Sequence, residues 1–362
     1  MAGDSKAVAQ PVIYLDYQAT TPLAPQAFDA MTPWLQDGFG NPHSVHILGR
    51  RAAAAVEVAR EQVAALLPQG GRVIFTSGAT EAINLAIKGV GAGRRIAALA
   101  TEHAAVLDCV AYLGGEVVGV DNDGLADAEG QGTFALFAAM LINNEIGVVQ
   151  PIEALTNAAH QNGALFLCDA VQAYGRIPIP EGPDMIAISA HKIHGPKGIG
   201  ALWVRDGVKL EPLIHGGGQE QGLRSGTLSP ALCAGFGAAA ALAAVQMEAD
   251  SAHVERLWSH GVKRFADWTI NGSTAHRYKG NLNIRRDGVD VARLISQCRD
   301  IAFSAGSACA SGSGRPSHVL RAIGLSDAQA KSSIRLGFGR YTTLDEIDKA
   351  ADAINAAVRD ML

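Results

Sequence analysis

Residues 164–204 read ALFLCDAVQAYGRIPIPEGPDMIAISAHKIHGPKGIGALWV. Three short apolar runs, Ala164 to Cys168, Met185 to Ile188 and Ile199 to Val204, are each followed or preceded by small and polar residues. Runs of this length that are apolar on both faces are the signature of strands in a sheet covered by helices on both sides. Asp169 with Gln172 follows the first run, and Ser189 with His191 and Lys192 follows the second.

The same alternation continues upstream, in Arg72 to Phe75, Ile96 to Ala100 and Phe134 to Ile142, with helical patterns between. It predicts an α/β fold with a mainly parallel sheet, whose ligands sit beyond the carboxyl ends of the strands. Polar clusters fall at those ends: Ser77-Gly78-Ala79-Thr80, Glu102-His103, Asn143-Asn144-Glu145, Asp169 with Gln172, and Ser189 with His191-Lys192. They converge where a cofactor would bind.

Downstream the pattern changes. An Ala-rich helix is expected from Ala231 to about Trp258, then a strand over Asn281 to Ile284, a helix near Val291 to Cys298 and a last helix from Leu344. At 362 residues the chain exceeds the size at which a single core usually stops growing. We divide it into a large domain over 15–255 and a small α+β domain built from 1–14 and 256–362. The small-residue stretch Ser304 to Gly314 reads as a mobile loop.

Composition narrows the function classes. Hydrophobic residues make up 48% and charged residues 18%, ordinary for a globular protein. The net charge of -5 is interspersed, with no basic run to neutralise nucleic-acid phosphates. No window approaches eighteen uninterrupted apolar residues and the N-terminus lacks a leader pattern, so neither a membrane nor export is expected. Five cysteines without CxxC spacing point to a reducing cytoplasm rather than to disulfides or a zinc site. The HxxH pairs His43/His46 and His191/His194 lack the HExxH helix of zinc hydrolases, and no metal is expected.

Several residues carry chemistry. Lys192, at a strand end beside His191, is placed to have its ammonium destabilised by burial and neighbouring cations, as a Schiff-base lysine requires; the alternative is a solvated loop lysine. Asp169 would hold a pyridinium nitrogen protonated, or else cap the next helix. The turn Thr76 to Glu81 offers free N–H groups to a phosphate, and Thr80 a hydroxyl, without the GK[ST] ending of a P-loop. His103 can stack on a flat ring and exchange protons near neutral pH. Arg335 or Arg340, on a strand-like stretch, can clamp a carboxylate with two parallel hydrogen bonds. Among the cysteines, Cys109, Cys168, Cys233 and Cys298 sit in apolar patterns, whereas Cys309, in Ser304-Ala-Gly-Ser-Ala-Cys-Ala-Ser-Gly-Ser-Gly314, has the small neighbours of a mobile nucleophile.

From Tyr14 to Leu362 the chain resembles the cysteine desulfurases of the class V aminotransferase family, the NifS/IscS-like group. The motifs are Tyr14-Leu-Asp-Tyr-Gln-Ala-Thr-Thr-Pro22, Phe75 to Glu81, Asn143-Asn-Glu-Ile-Gly147, Ser189-Ala-His-Lys192, Gly216 to Glu220, Arg224-Ser-Gly-Thr227 and Ser307-Ala-Cys309. The resemblance implies a pyridoxal 5'-phosphate enzyme of fold type I, its large domain a mainly parallel seven-stranded sheet. It implies that Lys192 binds the cofactor covalently, Asp169 pairs with the pyridine nitrogen, His103 stacks on the ring, and Gln172 and Asn144 contact its 3-hydroxyl side. Ala79, Thr80, Ser189 and His191 would hold the phosphate, with Thr227 reaching it from the other subunit of a homodimer.

By the same likeness Arg335, with Asn144, holds the carboxylate of L-cysteine, and Cys309 takes its sulfur as a persulfide, leaving L-alanine. An acceptor protein then takes the sulfur, for iron–sulfur cluster assembly on a scaffold or for tRNA thiolation. Scaffold-docking members continue beyond the last helix, whereas this sequence stops at Leu362, which leaves the acceptor open. Selenocysteine lyases and aminotransferases of the same fold, and a non-catalytic sulfur-transfer subunit, are the alternatives. Four positions depart from the family's common residues: His43 and Gly337 replace serine, His194 tyrosine, and Gln221 arginine.

Overall fold

A computed structural model of the chain describes residues 12–90, 93–128, 132–306 and 316–362. The chain enters through β1 (Ile13–Tyr14), then α1 (Pro25–Gln36) and α2 (Ile47–Ala64). The large sheet follows in sequence as β2 (Gly71–Thr76), β3 (Ile96–Leu99), β4 (Glu116–Val118), β5 (Leu136–Met140), β6 (Leu165–Asp169), β7 (Met185–Ser189) and β8 (Gly200–Arg205). Between these strands lie α3 (Ala79–Gly89), α4 (Ala104–Tyr112) and α5 (Ile152–Gln161).

The seven strands lie in the order β2-β8-β7-β6-β5-β3-β4. Only β8 runs against its neighbours, so the sheet is mainly parallel, as the apolar runs predicted. Period-two alternation divides each strand between two cores. Phe75, Phe137, Phe166 and Trp203 face the side covered by α1, α2 and α6 (Pro230–Arg264), whereas Ile74, Leu136, Leu167 and Leu202 face α3 and α4. The edge strand β4 escaped the sequence reading because Glu116 and Val117 are exposed, so no buried run marks it.

Helix α6 exceeds the expected Ala231 to Trp258 at both ends and passes through residue 255 without a break. Its apolar stretch is long enough to cross a bilayer, yet Cys233, Phe236, Ala239 and Ala240 are buried in the sheet core. Small residues let it approach closely: Gly237 lies so near Ala59 of α2 that a Cβ would sit 2.7 Å from its Cα.

Beyond α6 the chain adds β9 (Thr269–Ile270), β10 (Asn281–Arg285), α7 (Val291–Gln297), β11 (Ile301–Ala302), β12 (Ser304–Ala305), α8 (His318–Ala322), α9 (Asp327–Lys331), β13 (Ser333–Gly337) and α10 (Leu344–Arg359). A second sheet, β12-β13-β10-β9, packs under α7 and α10 around Leu282, Ile284, Ile334, Leu336 and Ile347. β1 returns to this part of the molecule, pairing in parallel with β11. Ser304 and Ala305, read from sequence as the start of a mobile loop, are instead a strand paired with Arg335 and Ile334. Serine-rich composition hid a ladder whose partner lies thirty residues on.

Candidate active site

Every polar cluster singled out in the sequence lies at one edge of the large sheet. Asp169 pairs across the ladder with Met140 and Ala187, and both Ser189 and Thr76 pair with Gly200. The strands end in a row there, and the next residues form the wall of a cavity of about 600 Å³. Ala79, Thr80, His103, Asn144, Asp169, Gln172, Ser189, His191, Lys192 and Arg335 all line it. Gly200 lets the β8 start pass beneath the Ser77–Thr80 turn, because a Cβ there would lie 2.8 Å from Gly78 backbone and 2.6 Å from the Ile188 carbonyl.

Lys192 Nζ donates to the carbonyl oxygens of Gln18 (2.5 Å) and Ala19 (2.8 Å), and no carboxylate lies within ion-pair distance among the described residues. Burial, reinforced by repulsion from Arg176 and Arg335, brings its pKa down to about 7, against a weaker pull upward from Asp16 and Asp169. The amine is thus easier to deprotonate than that of an exposed lysine, and its enclosure in the cavity wall argues against the solvated-lysine alternative. His191, on the same short helical turn, is brought down to about 4 by burial and by Lys192, Lys197 and Arg176. It meets a ligand as a neutral imidazole, its Nδ1 3.1 Å from Thr20 Oγ1.

Asp169 is buried, and burial lifts its carboxyl above the usual range, with the Val171 N–H, His103 and Lys192 acting against this. Its Oδ1 accepts the Val171 N–H at 2.9 Å, so the capping alternative describes one oxygen while the side chain still lines the cavity. His103 likewise caps α4, its Nδ1 accepting the Ala105 N–H at 3.1 Å, which puts any neutral-form proton on Nε2. Burial holds its imidazole below the usual pKa, with Lys192 and His318 adding repulsion and Asp169 opposing. Beneath them Glu102 is fully buried, and burial followed by repulsion from Asp169 holds its carboxyl well above the usual range, against the Met140 N–H that it accepts.

At the other end, α3 begins at Ala79 with no side chain capping its first N–H groups. Thr80 and Ser189 stand beside that open N-terminus in the cavity wall. Glu81 braces the turn, accepting the Ser77 N–H at 2.7 Å while pairing with Arg224 at 2.7 Å. Thr227, three residues after Arg224, is exposed and does not line this chain's cavity.

On the opposite wall Arg335 is fully buried on β13. It donates to the Asn144 carbonyl (3.0 Å) and pairs with Asp16 (2.6 Å), and its Nε has no partner. Arg340 instead forms a forked pair with Asp250, Nη2 to Oδ2 at 2.6 Å, and lies outside the cavity wall. The geometry thus separates the two arginines that sequence left interchangeable. Cys309 lies outside the described residues. The four described cysteines are buried, and burial raises the thiol pKa of each, that of Cys233 to about 12.

The segment Asp16 to Pro22, part of a family motif to which the sequence assigned no role, closes the cavity over Lys192. Thr21 binds the His191 carbonyl through Oγ1 (2.9 Å) and receives the His194 N–H (2.7 Å). Two of the four departures belong to this seam. His194 packs edge-on against Tyr17 and Tyr341, and Gly337 leaves room for Gln18, whose Oε1 would lie 1.9 Å from a Cβ. Gln221 is exposed with a left-handed φ of 59°, and His43 is exposed beside Asn41. Arg176 was also passed over, since nothing local distinguishes a lysine-like cation in a loop.

A planar cationic ring bearing a phosphate fits this cavity: an acid awaiting a countercharge, an imidazole at the wall, a near-neutral amine and an open helix N-terminus face one space. The description "Aminotransferase class-V" matches residues 13–350. Cysteine desulfurase IscS of Rickettsia rickettsii is 43% identical, over 94% of this chain and 90% of that one. The NifS-like protein of Rickettsia africae superposes with a TM-score of 0.88 at 31% identity, covering 96% of this chain and 99% of that one. SspA, solved in complex with cysteine, gives 0.79 at 34% identity over 91% of this chain and 99% of that one. The chain therefore belongs to the class V aminotransferases, pyridoxal-phosphate enzymes of fold type I.

Proposed function

We propose that this chain is a cysteine desulfurase in which Lys192 holds pyridoxal 5'-phosphate, Arg335 holds the substrate carboxylate and Cys309 receives the sulfur. The observation that carries the reading is the convergence of Lys192, Asp169, His103 and Arg335 on a single cavity of about 600 Å³. Bound there, the cofactor supplies an electron sink that labilises bonds at the substrate α-carbon. Of the residues lining the cavity, Asp169 would pair with the ring nitrogen, His103 would stack on the ring, and Gln172 and Asn144 would contact the 3-hydroxyl side. Ala79, Thr80, Ser189 and His191 would hold the phosphate, joined in a homodimer by Thr227 of the second copy.

Lys192, whose amine loses its proton more readily than an exposed lysine's, would attach the cofactor and then move a proton at the substrate α-carbon. Arg335 has an unpartnered Nε and can present a fork to the carboxylate of L-cysteine, the compound bound in the SspA neighbour. The Cys309 thiolate would attack the substrate sulfur; the S–S bond forms as the C–S bond breaks, its electron pair stays on the substrate β-carbon, and that carbon takes up a proton, giving a persulfide on Cys309 and L-alanine. The persulfide sulfur passes to an acceptor protein in the cytoplasm, for iron–sulfur cluster assembly or tRNA thiolation.

Purified protein is expected to show a visible cofactor band that Lys192→Ala abolishes together with activity. Cys309→Ala should keep the band and lose sulfide release from cysteine. Full desulfurase activity in Cys309→Ala would overturn the assignment of the sulfur to that residue.

A further inference from the structure

Arg176 follows Gly175 in the loop that leaves Gln172, and it is enclosed behind the cavity rather than in it. Its Nη1 donates to the Gln172 side-chain oxygen (2.7 Å) and main-chain carbonyl (3.3 Å). Its Nη2 donates to the main-chain carbonyls of Lys192 (2.8 Å) and Tyr17 (3.4 Å). The ring of Tyr278 lies 5.5 Å from its guanidinium carbon, and no carboxylate is within ion-pair distance among the described residues. A guanidinium enclosed against neutral acceptors alone is costly, and a cation so placed acts on the nearest titrating group.

We propose that Arg176 is a positioning residue of this site: its fork ties the Gln172 side chain to the backbone of Lys192 and sets a permanent cation behind the lysine amine. Both consequences follow from the geometry. With its Oε1 held by Arg176 and its Nε2 donating to the Gln18 carbonyl at 2.9 Å, the Gln172 amide has a fixed orientation. Lys192 meanwhile feels Arg176 and Arg335 as repulsive neighbours, Asp16 and Asp169 as attractive ones, and His103 and His191 as imidazoles held largely neutral. Among these only Arg176 hydrogen-bonds to the Lys192 main chain, so its charge is anchored to the very residue whose amine it repels. The Gln172 part rests on the cofactor placement proposed above, whereas the Lys192 part does not.

Two variants of the full-length protein separate charge from fork. In cofactor-free protein, the proton affinity of Lys192 is read from the pH dependence of its acetylation by trace acetic anhydride, followed by peptide mass spectrometry. Arg176→Gln should move the midpoint upward from about 7 by on the order of one pH unit, and Arg176→Lys should leave it in place. An unmoved midpoint in Arg176→Gln overturns the electrostatic role. Arg176→Lys keeps charge and bulk but cannot make the forked set of contacts, so pyridoxal phosphate should dissociate several-fold faster from it. That difference should vanish for a cofactor analogue lacking the 3-hydroxyl. Equal dissociation from Arg176→Lys and the parent overturns the tie, and this arm decides even where Arg176→Gln does not fold. A protein that binds no pyridoxal phosphate sinks the proposed function, while the acetylation titration still tests Arg176.

Discussion

On the sheet side of the cavity Lys192 donates only to carbonyl oxygens and burial brings its pKa down to about 7, whereas on the opposite wall Arg335 keeps Asp16 at 2.6 Å. One is a half-buried cation just past the end of β7, the other a fully buried cation in the middle of β13. The difference lies in what each is prepared to meet. A lysine without a counter-ion loses its proton easily and becomes a nucleophile; an arginine cannot lose its proton and must be neutralised until a carboxylate arrives. On the proposed role of Arg335, Asp16 occupies the place of the substrate carboxylate, which would have to compete with it or share the guanidinium through the unpartnered Nε.

The largest test of this contrast is Arg335→Ala. Loss of a buried charge-assisted clamp is expected to lower kcat/KM for cysteine roughly 10²–10³-fold, mostly through KM, while the visible cofactor band stays. Steady-state kinetics with the spectrum recorded on the same sample checks both halves, and loss of the band would place Arg335 on the cofactor instead. Asp16→Asn should act in the opposite direction. With the competitor's charge removed, KM for cysteine should fall several-fold.

The same substitution reaches across the cavity. Asp16 pulls the Lys192 pKa upward, so its removal should carry the Lys192 midpoint below about 7 by a fraction of a unit. The free amine grows as pH rises through that midpoint, and the rate of cofactor attachment to the cofactor-free protein should follow it. Stopped-flow absorbance across pH is the measurement. A shift to higher pH, or a rise in KM, would mean that Asp16 orders Arg335 rather than competing with substrate.

The two walls were unequally legible in the sequence. Asp169, Lys192, His103 and the Ser77–Thr80 turn each lie at or just beyond the end of a buried strand, and continuous apolar runs announce where such strands end. Arg335 could be placed on a strand but not told apart from Arg340, because the choice depends on Asp250 of α6 capturing one of them, a contact ninety residues away. The pairing of Asp16 with Arg335 spans 319 positions and carries no local signal. β12 and β4 were missed for a related reason: one is serine-rich and the other exposed, so neither shows the buried pattern from which strands are read. The long-range contacts that complete the second wall arise only when β1 returns to β11 and Gly337 admits the Tyr17–Gln18 segment.

The smallest expected effect tests whether the Arg335 wall depends on the packing of its own domain. α10 starts with a capping box in which Thr343 Oγ1 accepts the Glu346 N–H (3.2 Å) and Glu346 Oε2 accepts the Thr343 N–H (2.7 Å). Thr343 is exposed, and α10 meets the second sheet through Ile347 and Ile354, beneath the strand that carries Arg335. Thr343→Ala removes one cap and should cost about 1 kcal/mol, a fall in Tm of about 2 °C. KM for cysteine should not change, because β13 holds Arg335 through ladder pairs with β10 and β12 that do not involve α10. Calorimetry and kinetics on the same variant separate the two. A KM change with only this small loss of stability would show that helix packing, and not Asp16 alone, sets the position of the guanidinium.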